Sequence, residues 1–381
     1  DELKALKEAM LGNPRQYSKQ SRSNFGYLGD MGLSNTGQLP ALADLYTKGS
    51  PPTPYGLDAN GQGAGWAGPY ITPILREDLT DLLEDPYGNT YNYTTTAYQR
   101  LPPHPVPDGE WVSARIRSLG PNKTDDGGAG DDKQVEILRR EVRSTVSGYV
   151  TYPDGTAING ATVTLYRPVN GSVIGINPDT ISGNFYKFTA GVPNETDVPY
   201  GIRTVTATTP ATGDLRYAEG SALANGNDLS FNVTNWGGTA VTVTSIKLEY
   251  TFTGYYSAVW VGGNEIFRYN GPSFPNYNGG NRRGTGDTLA LPSPMTVSEG
   301  TYTSTTRVLV DSDNVLLPNI VLYPRGGTLN IRYVNFCKNL TGACGGPPID
   351  INGKTFTVTL NNGATVVLTA PFTAHEEEEE D

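Results

Sequence analysis

Glycine and proline punctuate this chain so closely that long helices have little room to form. There are 46 glycines and 28 prolines among 381 residues. Thr, Val and Tyr fill the intervals, and long windows of Leu, Ala, Glu and Lys are absent. Gly and Pro favour turns, while β-branched and aromatic residues suit a pleated, half-buried strand. The sequence therefore predicts short strands and many turns, in two or three domains that each bury a core.

The densest chemistry lies in Ser118-Leu-Gly-Pro-Asn-Lys-Thr-Asp-Asp-Gly-Gly-Ala-Gly-Asp-Asp132. Asp125, Asp126, Asp131 and Asp132 repel one another unless solvent or a cation screens them. A hard cation such as Ca2+ takes six to eight oxygens, and Gly127, Gly128 and Gly130 let backbone carbonyls turn inward to join the carboxylates. EF-hand spacing and its closing Glu are missing. The stretch is either a solvated acidic turn or a different kind of calcium loop.

The residues around it resemble the globular head of type IV pilin-like proteins, most closely the major pseudopilin of type II secretion. Asp85-Pro-Tyr-Gly-Asn-Thr-Tyr-Asn-Tyr93 is similar to that family's Asp-Pro-Trp-Gly-x-x-Tyr-x-Tyr strand, with Tyr87 where Trp is usual. Ser118-Leu-Gly120 is similar to its Ser-x-Gly strand end, and an Asp/Gly calcium loop follows. Gly37-Gln-Leu-Pro-Ala-Leu-Ala-Asp-Leu45 and Gly65-Trp-Ala-Gly-Pro-Tyr-Ile71 look like the segments between helix and sheet. The resemblance covers about residues 1–138. It implies that subunits assemble into a filament with other copies through N-terminal helices. It also implies that Ca2+ is held by Asp125, Asp126, Asp131 and Asp132 with the carbonyls of Leu119 and Asn122. The family's N-terminal apolar helix has no counterpart here. The expectation is a processed or truncated chain, or a separate small helical pilin chain that supplies the helix.

Leu3, Leu6 and Met10 predict a short amphipathic helix over 2–11, stopped by Gly12-Asn-Pro14. Residues 14–36 read as a loop, and Leu39, Leu42 and Leu45 suggest one more short helix. Asp58-Ala-Asn-Gly-Gln-Gly63 reads as a plain turn. Tyr91–Tyr98 and Trp111–Leu119 read as strands, Val135–Leu138 closes the sheet, and Arg139–Arg143 is a charged hinge.

Beyond the hinge, Ser147 to Tyr166 reads as two alternating strands joined by a Pro-Asp-Gly turn. With Ser182-Gly-Asn-Phe-Tyr-Lys-Phe188 and Arg203–Ala207, it resembles the carboxypeptidase regulatory-like, transthyretin-like sandwich, whose members are mostly spacers or adhesive modules. A third set of strands begins at Leu229. Thr306–Val310, Val315–Leu322, Gly327–Phe336 and Lys354–Leu368 are read into the same set, which resembles an Ig-like sandwich. The expected class is mainly β, with an α+β pilin-like head over 1–141 and β-sandwiches over 142–226 and 227–373. An acidic tail follows over 374–381.

The stretch 254–286 reads as a loop rich in aromatics. Tyr255, Tyr256, Trp260, Tyr269 and Tyr277 are candidate ligand contacts, since rings can stack on sugars or a neighbouring protein. The same rings could instead fill the sandwich core. Cys337 and Cys344 enclose a Gly-containing loop that can close as a disulfide, which favours an oxidising, extracellular location; two free thiols are the other possibility.

The net charge of −11 and the lack of a basic stripe argue against nucleic acid. No run of about 18 apolar residues offers a membrane span. His104 lies between prolines and His375 adjoins the tail, so neither suits a catalytic triad. No Gly-Lys-Ser/Thr loop or His-Glu-x-x-His helix occurs, and Asp311-Ser-Asp313 is better read as a turn than as a carboxylate dyad. The sequence thus points to a non-enzymatic filament subunit, or alternatively to a cell-surface adhesin or carbohydrate-binding protein using 254–286.

Overall fold

The computed structural model describes the chain except residues 1, 14–16, 19–20, 23, 35–36, 48–53, 72–82, 101–109, 190–197, 211, 219, 272, 274–275, 301, 313, 324–325, 345–348, 362 and 372–381. His104, Asp313, His375 and the acidic tail therefore lie outside the described residues. The fold is mainly β, in several sheets. It divides into two compact units, Asp1–Thr208 with Thr303–Leu322, and Thr209–Tyr302 with Tyr323–Asp381. No helix among the described residues is long and apolar enough to cross a membrane.

The first unit opens with helix α1 (Glu2–Leu11). Leu6 and Met10 are fully buried, one turn apart, as the apolar spacing requires. Gly12 ends the helix at φ +75°, its N–H donating to the Glu8 carbonyl at 2.7 Å. A Cβ at Gly12 would lie 2.3 Å from the Asn24 carbonyl oxygen. Gly12→Ala is therefore expected to cost more than about 1 kcal/mol, read as a lower melting midpoint of the first unit. An unchanged midpoint would show that this backbone relaxes freely.

A second helix, α2 (Gly26–Met31), lies in the stretch expected to be loop. Tyr27, Leu28 and Met31 bury its inner face. Gly26 and Gly29 hid it, because glycine is a poor helix former and breaks the apolar pattern. At Gly29 a Cβ would lie 2.4 Å from the Phe25 side chain, so packing rather than propensity selects the residue. The short helix expected around Leu42 is a single 3-10 turn, Leu42–Leu45, with the Asp44 carboxylate accepting from the Ala41 N–H at 3.1 Å.

Strands β1 (Gly56–Leu57) and β2 (Gly63–Ala64) form a small hairpin. Its turn is held by Asp58, whose carboxylate accepts from the N–H groups of Asn60 and Gln62 at 3.0 and 2.7 Å. A four-stranded sheet is built from β3 (Asn92–Thr94), β4 (Tyr98–Gln99), β5 (Trp111–Ser118) and β6 (Lys133–Leu138). All pair antiparallel with the central β5. Val112, Ala114 and Ile116 alternate into the core, each fully buried. Helix α1 is tied to β6 through Lys7, whose Nζ donates to the Glu136 carbonyl at 2.9 Å and pairs with Glu141 at 2.7 Å.

Two further large sheets belong to this unit, beside a short Tyr17–Ser18 and Ser21–Arg22 pair. Strands β7 (Arg143–Thr151) and β8 (Thr162–Val169), read as neighbours in sequence, fall in different sheets. The Pro153-Asp-Gly155 turn folds back only as far as a Thr151–Ala157 bridge before the chain crosses over. Strand β8 pairs with β9 (Gly201–Thr208), which pairs in turn with Thr303–Val310 over eight residues. Asn314–Leu316 and Ile320–Val321 pair parallel with β7. Thr306–Val310 and Val315–Leu322 were expected in the third set of strands. Their alternation fits either sandwich, and only the long-range pairing decides.

Two main sheets of the second unit enclose one core, beside the short Tyr255–Tyr256 and Arg283–Gly284 pair. One runs Leu215–Tyr217, Asp228–Asn235, Thr328–Val334, Ala258–Val261, Asn264–Arg268. The other runs Thr288–Val297, Val241–Tyr250, Thr355–Leu360, Thr365–Thr369. Phe231, Val243, Tyr256, Tyr333, Phe336 and Phe356 meet in the shared interior, each fully buried.

Candidate functional site

The acidic loop joins β5 to β6 and is closed at its root by the Ser118–Lys133 pair. The Asp85 turn is fastened to that root. One Asp85 carboxylate oxygen accepts from the N–H groups of Tyr87 and Asn89 at 3.0 and 2.9 Å. The other accepts from Ser118 Oγ at 2.6 Å and Asn89 Nδ2 at 3.1 Å. Asn89 Nδ2 also donates to the Gly120 carbonyl at 2.8 Å. Burial alone would raise the Asp85 carboxyl; the bonds from Ser118, Asn89 and Tyr87 outweigh it and hold it below the usual carboxylate range. Two segments singled out separately in the sequence are thus joined by one buried carboxylate, with Tyr87 left exposed.

Within the loop the four aspartates diverge. Asp125 accepts from the Gly127 N–H at 3.0 Å, from Asn92 Nδ2 at 2.8 Å and from the Arg117 guanidinium. The Gly127 N–H first, then Arg117, keep its carboxyl low. Asn122 bridges two others, its Nδ2 donating to Asp126 at 2.9 Å and its N–H to Asp131 at 3.0 Å. Asp132 points back under the loop, 4% exposed, and one oxygen accepts from the N–H groups of Asp126 and Gly128 at 2.9 Å each. Gly120, at φ +66°, could carry no side chain, since a Cβ would sit 2.5 Å from Asp131 Oδ2.

Among the described residues no three Asp, Glu, His or Cys side chains converge into a set that could hold a metal ion. Each of the four aspartates accepts from at least one protein donor. Asp132 Oδ1 is buried and has no hydrogen-bond partner. A buried carboxylate oxygen without a donor is costly, and a cation would relieve that cost. The donors are all oxygens, the chemistry a hard divalent ion requires. Leu119 is half-buried beside the loop's root, and Asn122 is exposed.

The aromatic candidates separate by burial. Residues 254–286 hold strands rather than a bare loop. Tyr256 is fully buried against Tyr333 and Phe336, so it is a core residue and not a contact. Tyr255 bridges to the Cys337 backbone at 2.8 and 2.7 Å. Tyr269 lies under Arg282, 4.1 Å from the guanidinium carbon to the ring centre. Trp260 is half-buried between Arg268 and Arg332, at 5.8 and 5.6 Å. Tyr277 is 41% exposed. Alternating in and out along a strand, rather than residue type, decides which ring is reachable.

Cys337 and Cys344 are paired as a disulfide, with Cα atoms 5.5 Å apart. Arg282 staples this loop. It is 3% exposed and donates to Ser257 Oγ, the Asn339 carbonyl and the Gly342 carbonyl at 2.8, 2.9 and 2.8 Å. Arg282→Ala leaves those acceptors unpaired and is expected to destabilise the second unit by about 2–4 kcal/mol in denaturant titration. Arg282→Lys should recover only part of the loss, because an ammonium lacks the planar fork. Equal stability of all three proteins would remove the staple from the account.

No protein-family model matches this chain, and no curated protein matches it.

Proposed function

We propose that this chain is a structural subunit of an extracellular filament of the type IV pilus or type II pseudopilus kind. Residues 1–141 are its head, and the β-rich remainder of the chain, in which 303–322 pairs with first-unit strands, faces outward. The observation that carries this reading is the Asp85 clamp. It draws the Asp-Pro-Tyr-Gly turn, the Ser118-Leu-Gly120 strand end and the acidic loop into one place, on a sheet backed by α1. Each motif alone has an ordinary turn as its explanation. Their physical union is what a calcium-stapled head requires.

In this reading Asp132, with Asp125, Asp126 or Asp131 and the carbonyls of Leu119 and Asn122, holds Ca2+. The ion supplies charge neutralisation and draws the loop together. It has no catalytic role, and the chain is not an enzyme. Other copies of the chain are its main partners, and a small helical pilin chain is the candidate source of the assembly helix. The disulfide suits an oxidising, extracellular setting. Electron microscopy of native material tests the reading: filaments labelled by an antibody against this chain support it, and native material consisting only of dispersed particles overturns it.

A surface adhesin is the second reading. Its support is Trp260, half-buried and flanked by two guanidinium groups on the polar face of its sheet. Glycan-array binding lost in Trp260→Ala would favour it.

A further inference from the structure

A pocket of about 390 Å3 lies within the first unit, away from the acidic loop. Asp30 from α2, Tyr55 and Gln62 from the β1–β2 hairpin, Tyr70, Ile202 of β9 and Arg307 all line it. We infer that it binds one or two units of a neutral saccharide. This inference is independent of the filament reading.

The polar groups decide the ligand class. One Asp30 carboxylate oxygen accepts from the Tyr70 hydroxyl at 3.1 Å, and the other has no donor among the described residues. Burial lifts the Asp30 carboxyl to about 6, while Tyr70 and Arg203 pull it back. Gln62 is 2% exposed and its amide is fixed, with Nε2 donating to the Gly63 and Ile202 carbonyls at 2.7 and 3.1 Å. That geometry leaves Gln62 Oε1 as a second acceptor, buried and unpaired. Arg307 lines the pocket as an exposed residue and uses one nitrogen on the Gly61 carbonyl at 3.0 Å.

Beneath them Arg203 is fully buried, donating to the carbonyls of Pro199, Gly29, Ile202 and Tyr200. Burial lowers it to about 9, and it stays charged at neutral pH. Asp30 thus faces the Arg203 charge, with the Arg307 cation also at the pocket, which disfavours an ammonium ligand. The carboxylate disfavours a phosphate. A sugar hydroxyl both donates and accepts, so it can satisfy Asp30, Gln62 and Arg307 together.

Tyr55 supplies the apolar surface. It is 48% exposed, and its ring lies over Gly63, where a Cβ would fall 2.0 Å from the hydroxyl. Pockets that take small ligands begin at about 300 Å3, which limits this one to a mono- or disaccharide.

The test titrates the full chain with methyl glycosides of glucose, galactose, mannose and N-acetylglucosamine, and with maltose, lactose and chitobiose, followed by saturation-transfer NMR. Butylamine and inorganic phosphate serve as controls. At least one sugar should bind. Tyr55→Ala and Asp30→Asn should each weaken it about tenfold or more, and Tyr277→Ala should leave it unchanged. Tyr55 is exposed enough that its variant folds, which an unchanged melting midpoint verifies. No binding up to about 50 mM, a loss in fewer than both pocket variants, or tighter binding of the amine or phosphate overturns the proposal.

Discussion

Under the proposed calcium site, calcium at about a hundred times its dissociation constant is expected to stabilise the first unit by about 2.7 kcal/mol, because an ion held by the folded loop and not by the unfolded chain favours folding. For a unit of this size that corresponds to a rise of about 5–10 °C in melting midpoint. The transition of the second unit should not move. EDTA should reverse the shift. Asp132→Ala should abolish the calcium response whatever it does to basal stability, since it removes the acidic loop's buried, unsatisfied carboxylate oxygen. A midpoint indifferent to calcium, or a response that survives in Asp132→Ala, would sink the metal site.

The second large effect is expected at Asp85. Asp85→Ala leaves Ser118 Oγ, Asn89 Nδ2 and two backbone N–H groups without their acceptor in a buried place. The loss should be about 3 kcal/mol, measured by urea titration of the first unit. Asp85→Asn should be intermediate, because one amide position becomes a donor facing donors. The sign of the pH dependence follows from the depressed carboxyl. Its contribution is present in full above the unfolded value of about 3.9 and is lost as pH falls through the lower folded value. The gap between wild type and Asp85→Ala should therefore hold from neutrality to about pH 5 and close in stronger acid. A gap that widens on acidification would mean the carboxylate is not what holds the turn.

Local patterns were legible where one element alone determined them. Helix α1 begins and ends where its apolar spacing and Gly12 place it. The strands flanking the acidic loop and the Cys337–Cys344 pairing also follow from short-range signals. Three features did not. Helix α2 is punctuated by glycines that tertiary packing demands. The aromatic stretch looked like a loop because its strands are short and Gly-flanked, so Tyr256 could not be told from Trp260. The partners of Thr303–Val310 depend on pairing across almost a hundred residues, which no local periodicity encodes. In the acidic loop the sequence located the aspartates. It could not show that Arg117 and Asn122 occupy three of them.

Thr208 and Thr303 are paired across adjacent strands, so the chain departs from the first unit and re-enters it at the same spot. Ribosomes deliver a chain from its N-terminus onward. The first unit therefore cannot finish until Leu322 has emerged, by which time the opening half of the second unit is already outside. Before then β9 waits with one flank bare, a standing invitation to mispair. Any premature stop between 209 and 302 harms both halves of the molecule, and a fragment boundary drawn at 208 cuts through a sheet.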